Sequence, residues 1–380
     1  MKNIPVIYYH SVAPKKNSKW YKSYLTLEQK YFEDLVLWLK KKEFTFIFLD
    51  EYFKLRNKIT NEKYICLNFD DGCLDNYVHV FPLLKKYAIK ATIYVNPEFI
   101  PDIDEPRKTI DQFDKNASDV MELEDLGFCS WSELKLMEDS GLVDIQSHTL
   151  SHTKYFASTK IREFHHPKAN YLYPIANIYP ERKPNYIMDT NFIKLLPYGT
   201  PFFQEKSALV TKRVFISKRF EEECVIKLKD YNWENYLTSE CLRVIQPIYD
   251  KYVLSDQLLE KIETDSEYEG RVKHELSESK RIIEYKLNKK VKYCCWPHGD
   301  YNAFTHEVAI KSGYDATTIV LKHFEKNIFS DRFDRIGHGS VNNSRFLTLL
   351  KMKFKIYAYR GQFPYKQIEN IFFRLKYGKS

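Results

Sequence analysis

Short apolar runs alternate with amphipathic helical stretches in two separate blocks of this chain, and that rhythm limits its fold more than any other feature. In the first block, "PVIYY" (5–9), "FTFIFL" (44–49), "YICLNF" (64–69), "ATIYV" (91–95) and "LVDIQ" (142–146) read as buried strands. Between them, Leu27, Tyr31, Leu35, Trp38 and Leu39 share one helical face, and "YVHVFPLLKKY" (77–87) reads as a second helix. Thr26 and Gln29 match a capping box, as do Ser130 and Glu133 before "ELKLMEDSG", whose Gly141 suits a helix C-terminus. The rhythm resumes near residue 271 with the helical "RVKHELSESKRIIEYKL", the strand "VKYCCW" (291–296), the helical "AFTHEVAIKSGY" and the strand "ATTIV" (316–320). Short strands spaced by helices predict a parallel sheet covered by helices. The number of strands favours a barrel over an open sheet.

Between residues 155 and 270 the alternation fails, and Tyr, Pro and Asn become frequent. "WENYLTSECLRVIQPIYDKY" (233–252) is the clearest helix there. The expected organisation is a barrel over residues 1–345, interrupted by an insertion at about 156–270 that lies over the barrel mouth, followed by a basic aromatic tail, 346–380. The insertion is expected to add lid and wall to the barrel and not to fold independently. Its His165-His166 pair is expected at the surface.

The chain carries 59 Lys and Arg against 51 Asp and Glu. From Arg345 onward there are nine basic residues and one acid, Glu369, which leaves 50 of each sign before it. The tail therefore holds the whole excess, either as a solvated basic helix or as a contact for an anionic membrane surface. It lacks a nucleic-acid-binding motif, so nucleic acid is not an expected partner. Seven cysteines, odd in number and without a CxxC pair, suggest neither a disulfide framework nor a cysteine-rich metal site. "MKNIPVIYYHSV" passes directly into a strand without a long apolar stretch, and a cytoplasmic protein, peripheral at the inner membrane face, is expected.

Two motifs stand where strands end. Asp70, Asp71 and Gly72 close "YICLNF". Alone, they fit a turn as well as a reactive site. His148 and His152 follow "LVDIQ" four residues apart, a spacing that puts both on one side of a helical turn. In β/α folds reactive groups gather at the carboxyl ends of the strands, so both motifs should meet at one mouth. One Asp and two His with an open position suit a divalent cation, Zn²⁺ first, with Co²⁺, Ni²⁺ or Mn²⁺ as alternatives.

"NFDDG" and "SHTLSHT" resemble the first two motifs of the polysaccharide deacetylases, the NodB-homology family of carbohydrate esterases. "PVIYYHSV" is similar to the opening strand of the subgroup that acts on poly-N-acetylglucosamine-type glycans, "PHGDYN" stands for the third motif, and "DRFDRIGHGSV" resembles the last strand. The resemblance covers roughly residues 4–155 and 271–345. It implies a distorted (β/α)₇ barrel and a metal-dependent N-deacetylase of an acetylated amino sugar. Asp71, His148 and His152 would hold the metal, and Asp70 would be the general base. A backbone N–H near His298 would face the oxyanion. The general acid would be His10, from the opening strand, or His338, from the last; the tighter local match favours His10. Trp131 and Trp296 would wall the acetyl pocket or pack. Many members carry an Arg two residues before the third-motif Pro, paired with the base; here that position is Cys295, and Arg335 is the substitute at hand. Two other outcomes stay open: a hydrolase of a different amide, and a non-catalytic glycan-binding module.

Overall fold

The computed structural model describes residues 3–17, 20, 22–58, 61–113, 124–169, 177–178, 196–320, 329–337 and 344–377. Two compact units divide the chain: Met1–Leu150, Glu278–Gly299 and Ala309–Ser380 form the first, Ser151–Ser277 and Asp300–Val308 the second.

The first unit is built on a parallel sheet of β1 (Val6–Tyr9), β2 (Lys63–Phe69), β3 (Ala91–Val95), β4 (Val143–Ser147), β5 (Tyr293–Cys294), β6 (Ala316–Ile319), β7 (Arg332–Asp334) and β8 (Ile336–Gly337). Their order is β7-β6-β5-β4-β3-β2-β1-β8, and the short strand Phe44–Phe46 pairs beside β2. β7 and β8 are separated only by Arg335, yet β7 pairs with β6 and β8 with β1. One extended segment therefore joins the two ends of the sheet, and the circuit has seven positions. This is the expected β/α barrel. Its strands are buried on both faces, which is why they read as continuous apolar runs and not as alternating ones. Val6, Cys66, Tyr94, Tyr293, Ala316 and Phe333, from six different strands, belong to one buried cluster.

Local chemistry decides the helix ends. Ser130 Oγ accepts the Glu133 N–H at 3.3 Å, and Glu133 accepts the Ser130 N–H at 2.7 Å, so the expected capping box starts the helix Trp131–Asp139. Gly141, at φ +70°, follows its C-terminus. The other expected box does not form. Thr26 lies in a strand, Thr26–Glu28, and its hydroxyl bonds Ser11 Oγ at 2.8 Å; the helix Gln29–Lys41 starts without a side-chain cap.

The basic C-terminal region forms two helices, Arg345–Tyr359 and Tyr365–Tyr377. Thr348, Met352, Ile356 and Ala358 of the first are buried. Tyr357 meets Trp38 of the helix Gln29–Lys41 edge-on at 5.4 Å. Its opposite side leaves Phe346, Leu347 and Leu350 exposed. Among the described residues no helix is long and apolar enough to cross a membrane.

The second unit pairs Lys154–Phe164 with Pro201–Ser207, and Val214–Ile216 with Leu259–Ile262, both antiparallel. These strands and the helices Lys218–Lys227 and Thr238–Leu254 enclose a core of their own, which includes Phe164, Phe203, Phe220, Cys241 and Ile245. His165 and His166 are buried here, and His166 stacks on Tyr236 at 4.0 Å, so the surface position expected for the pair is corrected. A polar ring without a full charge packs well against tyrosine, which removes the reason for solvation.

Ile356 is fully buried, so Ile356→Ala is expected to cost about 2–5 kcal/mol in urea denaturation. Phe346→Ala, on the exposed side of the same helix, is expected to stay within about 0.5 kcal/mol.

Candidate metal centre

Six side chains stand one or two residues beyond the ends of neighbouring parallel strands: His10 after β1, Asp70 and Asp71 after β2, His148 after β4, Cys295 after β5 and Arg335 after β7. The register makes this one end of the barrel. Tyr9 aligns with Phe69, and the Asp70 N–H donates to Tyr9 O at 2.9 Å. The His148 N–H donates to Val95 O, and the Cys295 N–H to Ser147 O, each at 2.9 Å.

Adjacent residues on a strand point to opposite faces. The two aspartates escape this because the chain turns left-handed at Asp71, φ +74°, and again at Gly72, φ +66°. Aspartate tolerates that region better than most residues. Gly72 is required by space as well: a Cβ there would lie 2.9 Å from Val95 Cγ1. "DDG" is thus a turn and a site at once.

The histidines arrive by a different route from the one expected. The stretch between His148 and His152 is not a helical turn; Thr149 and His152 are left-handed, at φ +64° and +47°. Asn96 replaces the missing helical hydrogen bonds by donating through Nδ2 to His148 O and, at 3.2 Å, to Thr149 O. His148 Nδ1 lies 2.8 Å from Cys295 O. A carbonyl only accepts, so Nδ1 carries the proton and Nε2 keeps its lone pair. Burial holds this imidazole below its usual pKa, although Asp70 and Asp71 push it up, and the ring is neutral.

Asp71, His148 and His152 each bring one ligand atom to within 4.8 Å of the others, and all three are buried. One carboxylate and two imidazoles, with one tautomer fixed by a carbonyl, fit a divalent cation with room for a further ligand. Asp70, His148 and Cys295 are equally close together. That set fits poorly. Asp70 already accepts from Arg335 through both of its oxygens.

Asp70 is engaged elsewhere. Arg335 reaches it with both terminal nitrogens, Nη1 to Oδ1 at 2.7 Å and Nη2 to Oδ2 at 2.9 Å. The guanidinium lies over the Tyr8 ring, 4.4 Å from its centroid. Gly337 leaves room for that ring, since a Cβ there would stand 2.7 Å from Tyr8 Cζ. Cys295 Sγ is 3.7 Å from Asp70 Oδ1. Burial raises the Asp70 carboxyl pKa, but the Arg335 guanidinium outweighs it and holds Asp70 below the usual carboxylate range. Asp70 is therefore charged at neutral pH. His10 Nε2 stands 3.9 Å from Asp70 Oδ2, and its backbone carbonyl is held by Asn76 Nδ2 at 2.8 Å.

His298 has a left-handed backbone, φ +61°, in the turn Pro297–Gly299, and its side chain is exposed. Trp296 is among the largest fully buried side chains. Trp131 is buried at the first turn of its helix with Lys286 Nζ 6.0 Å from its ring, a packing position. His338 lies outside the described residues. Sequence reasoning missed Lys22, whose Nζ is 2.7 Å from Asp71 Oδ2, and it missed Asn96 and Asn76. Lys22 lies far from every motif. Asn96, directly after a strand, carried the better signal, a polar residue at the same strand end as the aspartates.

Residues 57–186 match the family model for polysaccharide deacetylase. A putative polysaccharide deacetylase of Bacillus subtilis is 32% identical over 94 residues, 24% of this chain and 31% of that protein. The poly-beta-1,6-N-acetyl-D-glucosamine N-deacetylase of Staphylococcus aureus is 29% identical over 135 residues, 35% of this chain and 40% of that protein. The matched stretches thus span less than half of these relatives. A solved de-N-acetylase from Aggregatibacter actinomycetemcomitans superposes with a TM-score of 0.51 at 18% identity, covering 88% of this chain and 94% of that one, which shows a shared fold.

If Arg335 supplies the charge expected at position 295, Arg335→Met leaves a buried carboxylate unpaired and should cost about 3–5 kcal/mol. Adding Cys295→Arg should recover part of that loss. Urea denaturation of the single and double variants reads both effects; a double variant no more stable than the single would count against the substitution.

Proposed function

We propose that this chain is a member of the polysaccharide deacetylase family and that it hydrolyses the N-acetyl group of an amino sugar in a glycan or glycan precursor, with a divalent metal at Asp71, His148 and His152. The observation that carries this reading is the different use of two adjacent carboxylates, one grouped with two imidazoles and the other clamped by arginine. Zn²⁺ is the proposed ion, because two nitrogens and one carboxylate suit it. When bound, such an ion polarises the acetamide carbonyl and acidifies water.

The residues supply the rest. Asp70, kept ionised by Arg335, accepts a proton from the attacking water. The carbonyl carbon becomes tetrahedral, and the backbone N–H groups of the turn that includes His298 are the proposed donors to its oxygen. His10 stands close to Asp70 and retains partial exposure, so it is the proposed acid for the departing amine. The C–N bond breaks, and acetate and a free amino sugar leave. The non-catalytic alternative drew its support from Cys295 in place of arginine; Arg335 on Asp70 removes that support.

The proposed setting is the assembly of a surface polysaccharide. We further propose a peripheral contact with anionic lipid through the helix Arg345–Tyr359, where Phe346 and Leu350 are exposed beside Arg345 and Lys351. Truncation would strip the buried side of that helix from the barrel. Phe346→Asp with Leu350→Asp is the sounder test, and it should lower sedimentation with phosphatidylserine vesicles several-fold; unchanged sedimentation rejects the contact.

Acetate release from N-acetylglucosamine oligomers should stop on chelation and return with added Zn²⁺. Asp70→Asn should lose about 10²–10⁴ in kcat while keeping the metal, whereas His148→Ala should lose the metal itself. An Asp70→Asn variant with full activity would overturn the role given to Asp70.

A further inference from the structure

Lys22 is an unusual residue to find 3% exposed. It lies in the loop after β1, where its carbonyl accepts the Leu25 N–H at 2.8 Å. Its ammonium stands 2.7 Å from Asp71 Oδ2 and 5.6 Å from the centroid of the Phe128 ring. That ring stacks on Phe99 at 5.0 Å and meets Trp20 edge-on, so the ammonium lies against one ring of an aromatic cluster. A buried ammonium must be paired, and Asp71 is the pair. Yet Asp71 also turns its other oxygen, Oδ1, toward His148 Nε2 at 3.5 Å. One carboxylate is thus shared between a fixed cation of the chain and the place where a metal ion fits.

We propose that Lys22 is a built-in competitor and counter-charge for the metal: it neutralises Asp71 when the ion is absent and weakens the ion's hold when it is present. This rests on the assignment of Asp71 as a metal ligand. Two effects of Lys22 oppose each other. Its hydrogen bond to Oδ2 orients the carboxylate, which helps a ligand. Its positive charge, a few ångströms from a divalent cation in a water-poor setting, repels that cation. The backbone decides between them. Asp71 is held by its left-handed turn, and the adjoining Gly72 is packed against Val95 so closely that a Cβ would not fit. The ligand therefore keeps its direction without Lys22, and the charge effect dominates. With Lys22 in place, Asp71 presents one oxygen, and its negative charge is already partly spent. The bound ion consequently keeps more of its own charge for a substrate carbonyl.

The test is metal affinity, read independently of turnover. Full-length protein is stripped with chelator and titrated with Zn²⁺ against a chromophoric competitor at one pH near neutrality. Lys22→Gln, which keeps a donor but removes the charge, should bind Zn²⁺ at least about tenfold more tightly than the unmodified chain. Lys22→Arg, which keeps the charge, should stay within a few-fold of it. The rise in Tm on adding Zn²⁺ should be larger for Lys22→Gln. If that variant does not fold, Lys22→Met, which retains the aliphatic stem against Phe128, carries the same expectation. Equal or weaker Zn²⁺ binding in the uncharged variants overturns the proposal. A failure of the unmodified chain to bind Zn²⁺ at all instead overturns the metal reading on which it rests.

Discussion

The ion pair between Asp70 and Arg335 is the constraint around which the barrel and its site are organised. A carboxylate 2% exposed at the end of a buried strand needs a partner with matching geometry, and a two-point guanidinium contact is the strongest that side chains offer. That partner comes from the break between β7 and β8, the same six-residue segment that joins the two ends of the sheet. Closure of the barrel and placement of the arginine are therefore one structural event. Tyr8 beneath the guanidinium and Gly337 beside Tyr8 fix its position from the neighbouring strand. Loosening the last strand would disturb the sheet and the charge of Asp70 together.

Two adjacent aspartates would repel each other if both stayed charged in the same environment. The structure gives each a separate counter-charge. Arg335 faces Asp70, and Lys22 faces Asp71, with the imidazole of His148 between them. The left-handed turn that separates their directions is what allows two different partners. Asp71, Thr149 and His152 all have positive φ, as does His298 in the turn Pro297–Gly299. Each such residue costs about 1–3 kcal/mol, and the strands and hydrogen bonds around them hold it in place.

The barrel was legible in the sequence because burial on both faces leaves uninterrupted apolar runs, and helices of regular length separate them. "NFDDG" and "SHTLSHT" were legible for the same reason: each follows such a run, and strand ends meet at one mouth. Local pattern misled where a side chain had a better partner at a distance. Thr26 fits a capping box by spacing, but Ser11 takes its hydroxyl. His148 and His152 have helical spacing, yet Asn96 and two left-handed residues shape a different turn. Lys22 could not be read at all, because a lysine in a loop is ordinarily solvated and its partners, Asp71 and the Phe128 ring, are distant in the sequence.

Cys295 illustrates what kind of constraint a motif expresses. Read along the chain, its thiol in place of an arginine looks like the loss of a charge. In the fold, β5 and β7 both border β6, and both end near Asp70. A guanidinium can reach the carboxylate from either strand end, but two would crowd and repel each other in the same buried space. A small side chain at 295 is thus the counterpart of arginine at 335, and Sγ at 3.7 Å from Asp70 Oδ1 fills the gap without adding charge. What the site requires is one positive charge of fixed direction on Asp70. The strand that supplies it is free to differ, so a motif compared position by position can register a loss where the electrostatics are intact.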